Sequence, residues 1–219
     1  HNNSWNNGIE GPTTDEKINN LRKRQQKNLF SSLLLSPGIP MILMGDEVGR
    51  SQGGNNNAWC QNNQIGWMNW CTNDCDQDLK EFLKKLINIR KQLPEFFSPK
   101  FIYNSYISET KSKINDFWIQ WHGVKLNKPD WSSWSHTLGY SINKKDEGSA
   151  IWIGCNAYKE SMIFELPSPI SSWKKFVDTS AIKTKKVSTK SLSNQCSIEL
   201  VSHSLVLLVA SEYSKKVRL

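Results

Sequence analysis

The sequence predicts an α/β unit followed by an all-β unit, and three observations carry that reading. Two stretches of helix-forming composition, residues 13–35 and 76–93, flank a short, continuously apolar run, Ile39-Pro40-Met41-Ile42-Leu43-Met44. A helix, a buried strand and a helix in that order are a slice of an α/β architecture with parallel strands. After about Phe97 the helical periods stop, and short β-rich runs separated by turns take over, the pattern of an antiparallel sandwich. The boundary is placed there, giving units of residues 1–97 and 98–219.

The first helix is expected to start at Thr13-Thr14-Asp15-Glu16, because Thr13 and Glu16 stand at capping-box spacing ahead of good helix formers. It should run to about Leu35, where Ser36-Pro37-Gly38 stops it. Residues 39–44 are bounded by turn residues and apolar throughout, which is how a strand covered on both faces by helices reads. From Gly45 to about Asp74 the composition is that of a loop rich in Gly and Asn, and compact domains seldom keep so long a loop without a use for it. Leu79, Phe82, Leu83, Leu86 and Ile87 then recur at helical spacing, with Asp74 or Asp76 available as cap and Pro94 as terminator.

The expected strands are 117–121, 138–142, 150–154, 162–166, 176–177, 198–201 and 205–209. Residues 179–194, rich in Lys, Ser and Thr, read as a long hairpin loop.

Composition narrows the function classes. No apolar run approaches the roughly 20 residues of a membrane helix, so no membrane partner is expected. The formal charge is +8, but the basic residues are dispersed among Asn and Ser, which favours a solvated surface over a phosphate track and argues against nucleic acid. Cys60, Cys71, Cys75, Cys155 and Cys196 are odd in number, and no His stands at zinc-finger spacing from any of them. They read as reduced thiols of a cytoplasmic protein, with no metal site. The chain opens on His1, and no secretory signal follows, as expected of a partial reading frame. Ten tryptophans are unusual; most should pack cores, yet several stand in Asn-rich loops, where a flat apolar face with one polar handle suits a binding site.

The order and spacing of certain residues carry a resemblance. Asn3-Ser4-Trp5-Asn6 with Gly8-Ile9-Glu10-Gly11-Pro12-Thr13, then Gly45-Asp46-Glu47 with Gly49-Arg50, then Gln52-Gly53-Gly54-Asn55-Asn56-Asn57-Ala58-Trp59-Cys60-Gln61, resemble the isoamylase and glycogen debranching branch of the α-amylase superfamily. The resemblance is nearly continuous from Asn3 to Pro94. Trp121-His122-Gly123, Pro129-Asp130-Trp131, Asn156-Ala157-Tyr158, Leu166-Pro167, Trp173 and Val177-Asp178-Thr179 echo the C-terminal sandwich of the same enzymes. Trp59 departs from the pattern, since that branch usually has Tyr there; stacking survives the change and the phenolic hydroxyl does not.

The resemblance implies a (β/α)8 TIM barrel followed by a β-sandwich. Residues 1–97 would hold barrel helix seven, strand eight and helix eight, and 98–219 the sandwich. It also implies retaining hydrolysis of α-1,6-glucosidic branch points in glycogen or related α-glucans, which needs two carboxyl groups roughly 5–5.5 Å apart. In the family these are an Asp and a Glu at the ends of strands four and five, helped by an Asp after strand seven. All three would lie upstream of His1, so the chain is expected to hold no catalytic residue and to need no cofactor. Asp46 and Glu47 make a poor substitute pair, because neighbours at a strand end point to opposite faces.

Barrel sites are built from loops at the C-terminal ends of strands, and the segment behind Met44 would be such a loop. Arg50, Asn55, Asn56, Asn57 and Trp59 are therefore the candidate substrate-binding residues, with amides bonding sugar hydroxyls and the indole under a glucose ring. Trp5 and Asn6 could border the same cleft. A plainer reading stands beside this one: Asn side chains bond local backbone readily, and the run organises turns. A different class also stands open, a non-catalytic glucan-binding or scaffold subunit of a debranching complex.

Overall fold

Helix formation begins where a side chain can satisfy the first free N–H groups. In the computed structural model, which describes residues 5–70, 77–93, 117–144, 147–181 and 191–215, that residue is Asp15. Its Oδ1 accepts from the N–H of Lys17 at 2.8 Å and of Ile18 at 3.2 Å, and helix α1 spans Glu16–Leu35. The cap thus lies two residues past the expected Thr13, whose hydroxyl instead accepts from the N–H of Asp15 at 3.2 Å. A carboxylate beside the positive end of the helix dipole is the stronger cap. Helix α2 spans Gln77–Gln92 and buries Leu79, Phe82, Leu83, Leu86 and Ile89, one continuous stripe at helical spacing. Asp74, Asp76, Pro94 and the 97/98 boundary lie outside the described residues.

Segment 39–44 differs from expectation. It pairs with no strand among the described residues, and Ile39 is 87% and Met41 89% exposed. A parallel strand needs neighbours for its N–H and C=O groups and cover for both faces. The described residues supply neither, so the apolar run lies open.

The expected β-rich runs all appear as strands: β1 Phe117–His122, β2 Thr137–Lys144, β3 Gly148–Asn156, β4 Met162–Glu165, β5 Trp173–Asp178, β6 Ser197–Leu200 and β7 Ser204–Ala210. Five form an antiparallel sheet in the order β1-β2-β3-β7-β5, and β4 pairs with β6 in a second, two-stranded sheet. The Ser211–Ser214 turn of helix, α3, follows β7. Because side chains alternate across a strand, the large sheet has two different faces. Trp152 points to the small sheet and meets Phe164 edge-on at 5.9 Å between ring centroids. Gly154, next on that face, leaves room for the indole, since a Cβ there would collide with it. Tyr140, from the opposite face, donates to the Leu35 carbonyl of α1 at 2.9 Å. The order of layers is therefore helices, five-stranded sheet, two-stranded sheet.

One contiguous apolar cluster includes Phe30, Leu34 and Leu35 of α1, the buried stripe of α2 and the strand interiors. Trp152, Trp173, Phe164 and Phe176 are its largest fully buried rings. Removing a ring of that size from a packed core costs about 3–5 kcal/mol.

His122, buried at the end of β1, fixes the connection to β2. Its Nδ1 accepts from the N–H of Asn127 at 3.0 Å, so the ring proton resides on Nε2, which donates to Ser141 Oγ at 2.9 Å. The bond holds Asn127 in the left-handed region, φ 56°. Burial lowers the His122 pKa from 6.5 to about 4. The folded state therefore holds the ring neutral while the unfolded chain takes up a proton below about pH 6.5. Stability from this group is complete above that value and is lost as the pH falls toward 4. Urea unfolding at pH 7, 5.5 and 4.5 should show that loss, and His122→Gln should flatten it.

Candidate functional site

The candidate residues follow a tight turn whose geometry the glycines permit. Gly45 and Gly49 take positive φ, 100° and 70°, on either side of a single 3-10 turn, Asp46–Val48. A Cβ on Gly45 would come within 2.5 Å of Arg50 Cδ, so glycine is needed there for space as well as for φ. Glu47 turns back and accepts from the N–H of Gly45 at 2.8 Å, a loop-holding role. Burial, and then the neighbouring Glu47, push the Asp46 carboxyl above its ordinary range, with Arg50 opposing.

Arg50 is the organiser of the loop. Its guanidinium donates to the carbonyls of Ile65 at 3.2 Å and Gly66 at 2.9 Å, and to Gln52 Oε1 at 3.3 Å. Those bonds tie the start of the loop to a point fifteen and sixteen residues further on. Gln52 extends the brace by donating to the Asn55 carbonyl at 2.8 Å. Asn55 Oδ1 accepts from the N–H of Asn57 at 2.9 Å, and Asn57 Oδ1 from the N–H of Trp59 at 3.4 Å. Both amides thus spend one oxygen on local turns, as the plainer reading of the run expects. Asn55 is half-buried, and Asn56 and Asn57 are exposed.

Trp59 is 95% exposed, and Trp67 and Trp70 stand exposed on the same loop. Trp67 Nε1 donates to Asn62 Oδ1 at 3.1 Å, which fixes its ring. No motif marks these two indoles in the sequence; the aromatic excess of the Asn-rich stretch is the one signal that points to them. Trp5 is exposed as well. Its loop is held on α1 by Arg22, which donates to the carbonyls of Asn6 at 3.0 Å, Gly11 at 3.0 Å and Ile9.

A cleft of about 300 Å³ joins the loop to α1, lined by Leu29, Phe30, Leu33, Met41, Ile42 and Arg50 among others. It brings Arg50 together with the outer face of α1 and the open apolar segment. Asn55, Asn56, Asn57 and Trp59 do not line it. Among the described residues, no group of three His, Cys, Asp or Glu could hold a metal ion, and no helix is long and apolar enough to cross a membrane.

The guanidinium fork makes a prediction for loop order. Arg50→Ala frees the carbonyls of Ile65 and Gly66, and limited proteolysis within residues 51–66 should accelerate about tenfold, the change expected when roughly 1.4 kcal/mol of local stability is lost. Arg50→Lys should restore resistance only in part, because a single ammonium nitrogen can meet the two carbonyls that Nη2 holds but lacks the Nη1 that reaches Gln52.

Comparison with known proteins gives a consistent picture. Residues 120–203 match the family described as Isoamylase 1-3, C-terminal. Isoamylase 1, chloroplastic, of Oryza sativa is 34% identical over 180 residues, which are 82% of this chain and 21% of the rice protein. A glycogen debranching enzyme of Pectobacterium atrosepticum is 39% identical over 138 residues, 62% of this chain and 19% of its own. The rice alignment is longer than residues 120–203 allow, so the similarity reaches beyond the sandwich. Pullulanase type I from Bacillus subtilis, solved with maltose, shares the fold with a TM-score of 0.60 and 18% identity, over 90% of this chain and 24% of the pullulanase. The chain spans about a fifth of the length of the curated relatives it matches. Residues 120–203 thus carry the isoamylase C-terminal domain, and most of the chain is similar to isoamylases and glycogen debranching enzymes.

Proposed function

We propose that this chain forms part of an α-1,6-glucosidase that removes branches from glycogen or a related α-glucan with retention, and that its catalytic carboxylates belong to polypeptide outside these residues. The observation that carries the reading is the open apolar segment 39–44, set between α1 and α2, with Ile39, Met41, Leu43 and Met44 all exposed. Such a segment is stable only as an inner strand between neighbours. Taken as strand eight of a (β/α)8 barrel, with α1 and α2 as the helices on either side of it, it makes chemical sense of its own composition. The cleft between it and the outer face of α1 is then the seat of the adjoining barrel element, and Leu29 and Leu33 on that face are its lining.

In this arrangement the loop behind Met44 stands at the C-terminal end of a barrel strand, the end where such enzymes build their sites. Its division of labour follows from the bonds already described. Arg50 braces the loop, and Asn55 and Asn57 shape the turns with Oδ1 while their Nδ2 groups donate to sugar hydroxyls, as does Asn56. Trp59 offers a glucose ring its flat face. Arg50 thereby acts on the glucan through the loop it holds. Neither a metal nor a cofactor enters such a mechanism, in which two carboxyl groups carry the displacement.

Two outcomes test the reading. The chain alone, incubated with glycogen, should release no linear maltooligosaccharide; release would place the catalytic groups within it. In the enzyme that includes the remaining barrel, Trp59→Ala should raise KM for glycogen about five- to tenfold with little change in kcat, the signature of lost uniform binding. An unchanged KM would remove Trp59 from the cleft.

A further inference from the structure

A second exposed aromatic group stands on the sandwich, on the 130–136 turn between β1 and β2. Trp131 is 65% exposed and Trp134 75%. Large indoles in water are disfavoured, and a surface that keeps two of them three residues apart leaves apolar area that a ligand can cover. The turn that carries them is braced on both sides. Asp130 Oδ1 accepts from the N–H of Ser132 at 3.0 Å and from its hydroxyl at 2.7 Å. The Ser135 N–H donates to the Ser132 carbonyl at 3.0 Å, the His136 ring N–H to the Trp134 carbonyl, and the Ala157 N–H to the His136 carbonyl at 2.8 Å.

The Trp131 ring is seated as firmly as the backbone. Trp131 meets Trp121 edge-on at 5.5 Å, Trp121 lies at 5.5 Å from Tyr140, and the Tyr140 hydroxyl is anchored on the Leu35 carbonyl. Trp131 is therefore the outer member of an aromatic row that runs inward to α1. Ligand binding there costs little ordering, because the platform is formed in advance.

We propose that Trp131 and Trp134 form a surface site for an α-1,4-linked glucan chain, separate from the loop that carries Trp59. The ligand class follows from the chemistry of the turn, and it rests on the reading of the protein as a glucan-acting enzyme. Residues 130–136, Asp-Trp-Ser-Ser-Trp-Ser-His, hold no aliphatic side chain: indole faces alternate with hydroxyls. That alternation suits a sugar, which presents a C–H face to stack and a rim of hydroxyls to bond. A nucleic acid would meet a cluster of cations, and the turn has none; a protein interface also favours tryptophan, so the test below reads association between copies as well. The site tethers polymer at the sandwich, and a second point of attachment raises the effective concentration of neighbouring chain ends at the cleft.

Native electrophoresis of the chain through gels with and without glycogen reads the site directly. The unsubstituted chain should be retarded by glycogen and not by dextran. Trp134→Ala, whose ring is mostly in solvent, should raise the apparent dissociation constant about fivefold or more, the double variant with Trp131→Ala further, and Trp134→Phe should regain most of it. Trp59→Ala is run beside them and should keep the retardation that Trp131 and Trp134 supply. Absence of retardation in the unsubstituted chain overturns the proposal, as does retardation that Trp134→Ala leaves unchanged. If the loss occurs in Trp59→Ala alone, the sandwich site falls while the glucan reading stands. A dimer in sedimentation that Trp134→Ala dissolves, with no glucan binding, makes the patch a contact between copies and also overturns it.

Discussion

The docking of two helices on one face of the five-stranded sheet is the constraint on which the rest of the structure depends, and a small polar chain fixes its register. Thr179, buried at the end of β5, donates its hydroxyl to Asn28 Oδ1 at 2.6 Å and accepts from the N–H of Leu205 at 2.8 Å. Asn28 Nδ2 donates onward to the His203 carbonyl at 2.9 Å. One side chain of α1 is thereby joined to β5 and to the approach to β7. Beside it Lys27, almost wholly buried, reaches Asp78 of α2 at 2.7 Å and the Ala181 carbonyl at 3.3 Å, and its ammonium lies 5.4 Å from the Phe82 ring centroid. A buried charge is tolerated only when paired and hydrogen-bonded, and here the pairing also sets α2 against α1. Apolar burial supplies the bulk of the energy at this interface. The polar chain decides which sliding position the helices adopt, because a shift of one turn would leave Thr179, Asn28 and Lys27 short of partners in low dielectric.

That seating positions everything functional. Arg90 of α2 donates to the carbonyls of Leu34 at 2.6 Å, Ser36 at 2.8 Å and Gly38, so the last turn of α1 and the start of segment 39–44 are held by a side chain of the following helix. The apolar segment leaves from a fixed point, and the glycine-flanked turn at Gly45 redirects it into the Arg50-braced loop. Tyr140 reaches the same end of α1 from the sheet, which ties the aromatic row of the sandwich to the origin of that segment. The two tryptophan-bearing surfaces thus belong to one frame, although they lie on different elements.

Much of this frame was legible in the sequence, and the reasons differ by element. The strand interiors of β3 and β7 are apolar on both faces because each face meets a layer, and runs such as Leu205-Val206-Leu207-Leu208-Val209 advertise that without ambiguity. The stripe of α2 is legible except at its last member, where Ile89 is buried and the expected Ile87 only half-buried. The cap of α1 was misplaced by two residues because Thr13, Thr14 and Asp15 are all competent caps, and only the position of the first free N–H groups decides among them. Segment 39–44 has the composition of an inner strand, yet composition cannot supply the neighbours that make one. The Asn run was legible only as a choice between turn-making and sugar-binding. The Asx bonds of Asn55 and Asn57 show that these need not compete, because an amide has an oxygen for the turn and a nitrogen left over.

On the proposed reading, the bracing of the loop and of the aromatic turn also accounts for indoles standing where they do. A glucan chain is uncharged, so the formal charge of +8 gives it little to attract, and binding must come from stacking and hydroxyl bonds, each worth little alone. Weak contacts accumulate into affinity only if the groups that make them are already ordered, since each freely rotating side chain fixed on binding costs about 0.5–1.5 kcal/mol. Arg50 spends one guanidinium nitrogen on two carbonyls to order the loop, and Asp130 spends a carboxylate on Ser132 to order the turn. In both places the charged residue is consumed by the scaffold, and the residues left facing water are aromatic rings, hydroxyls and amides. An anionic ligand would call for a free Arg50 guanidinium, and here it is committed to the loop's own carbonyls.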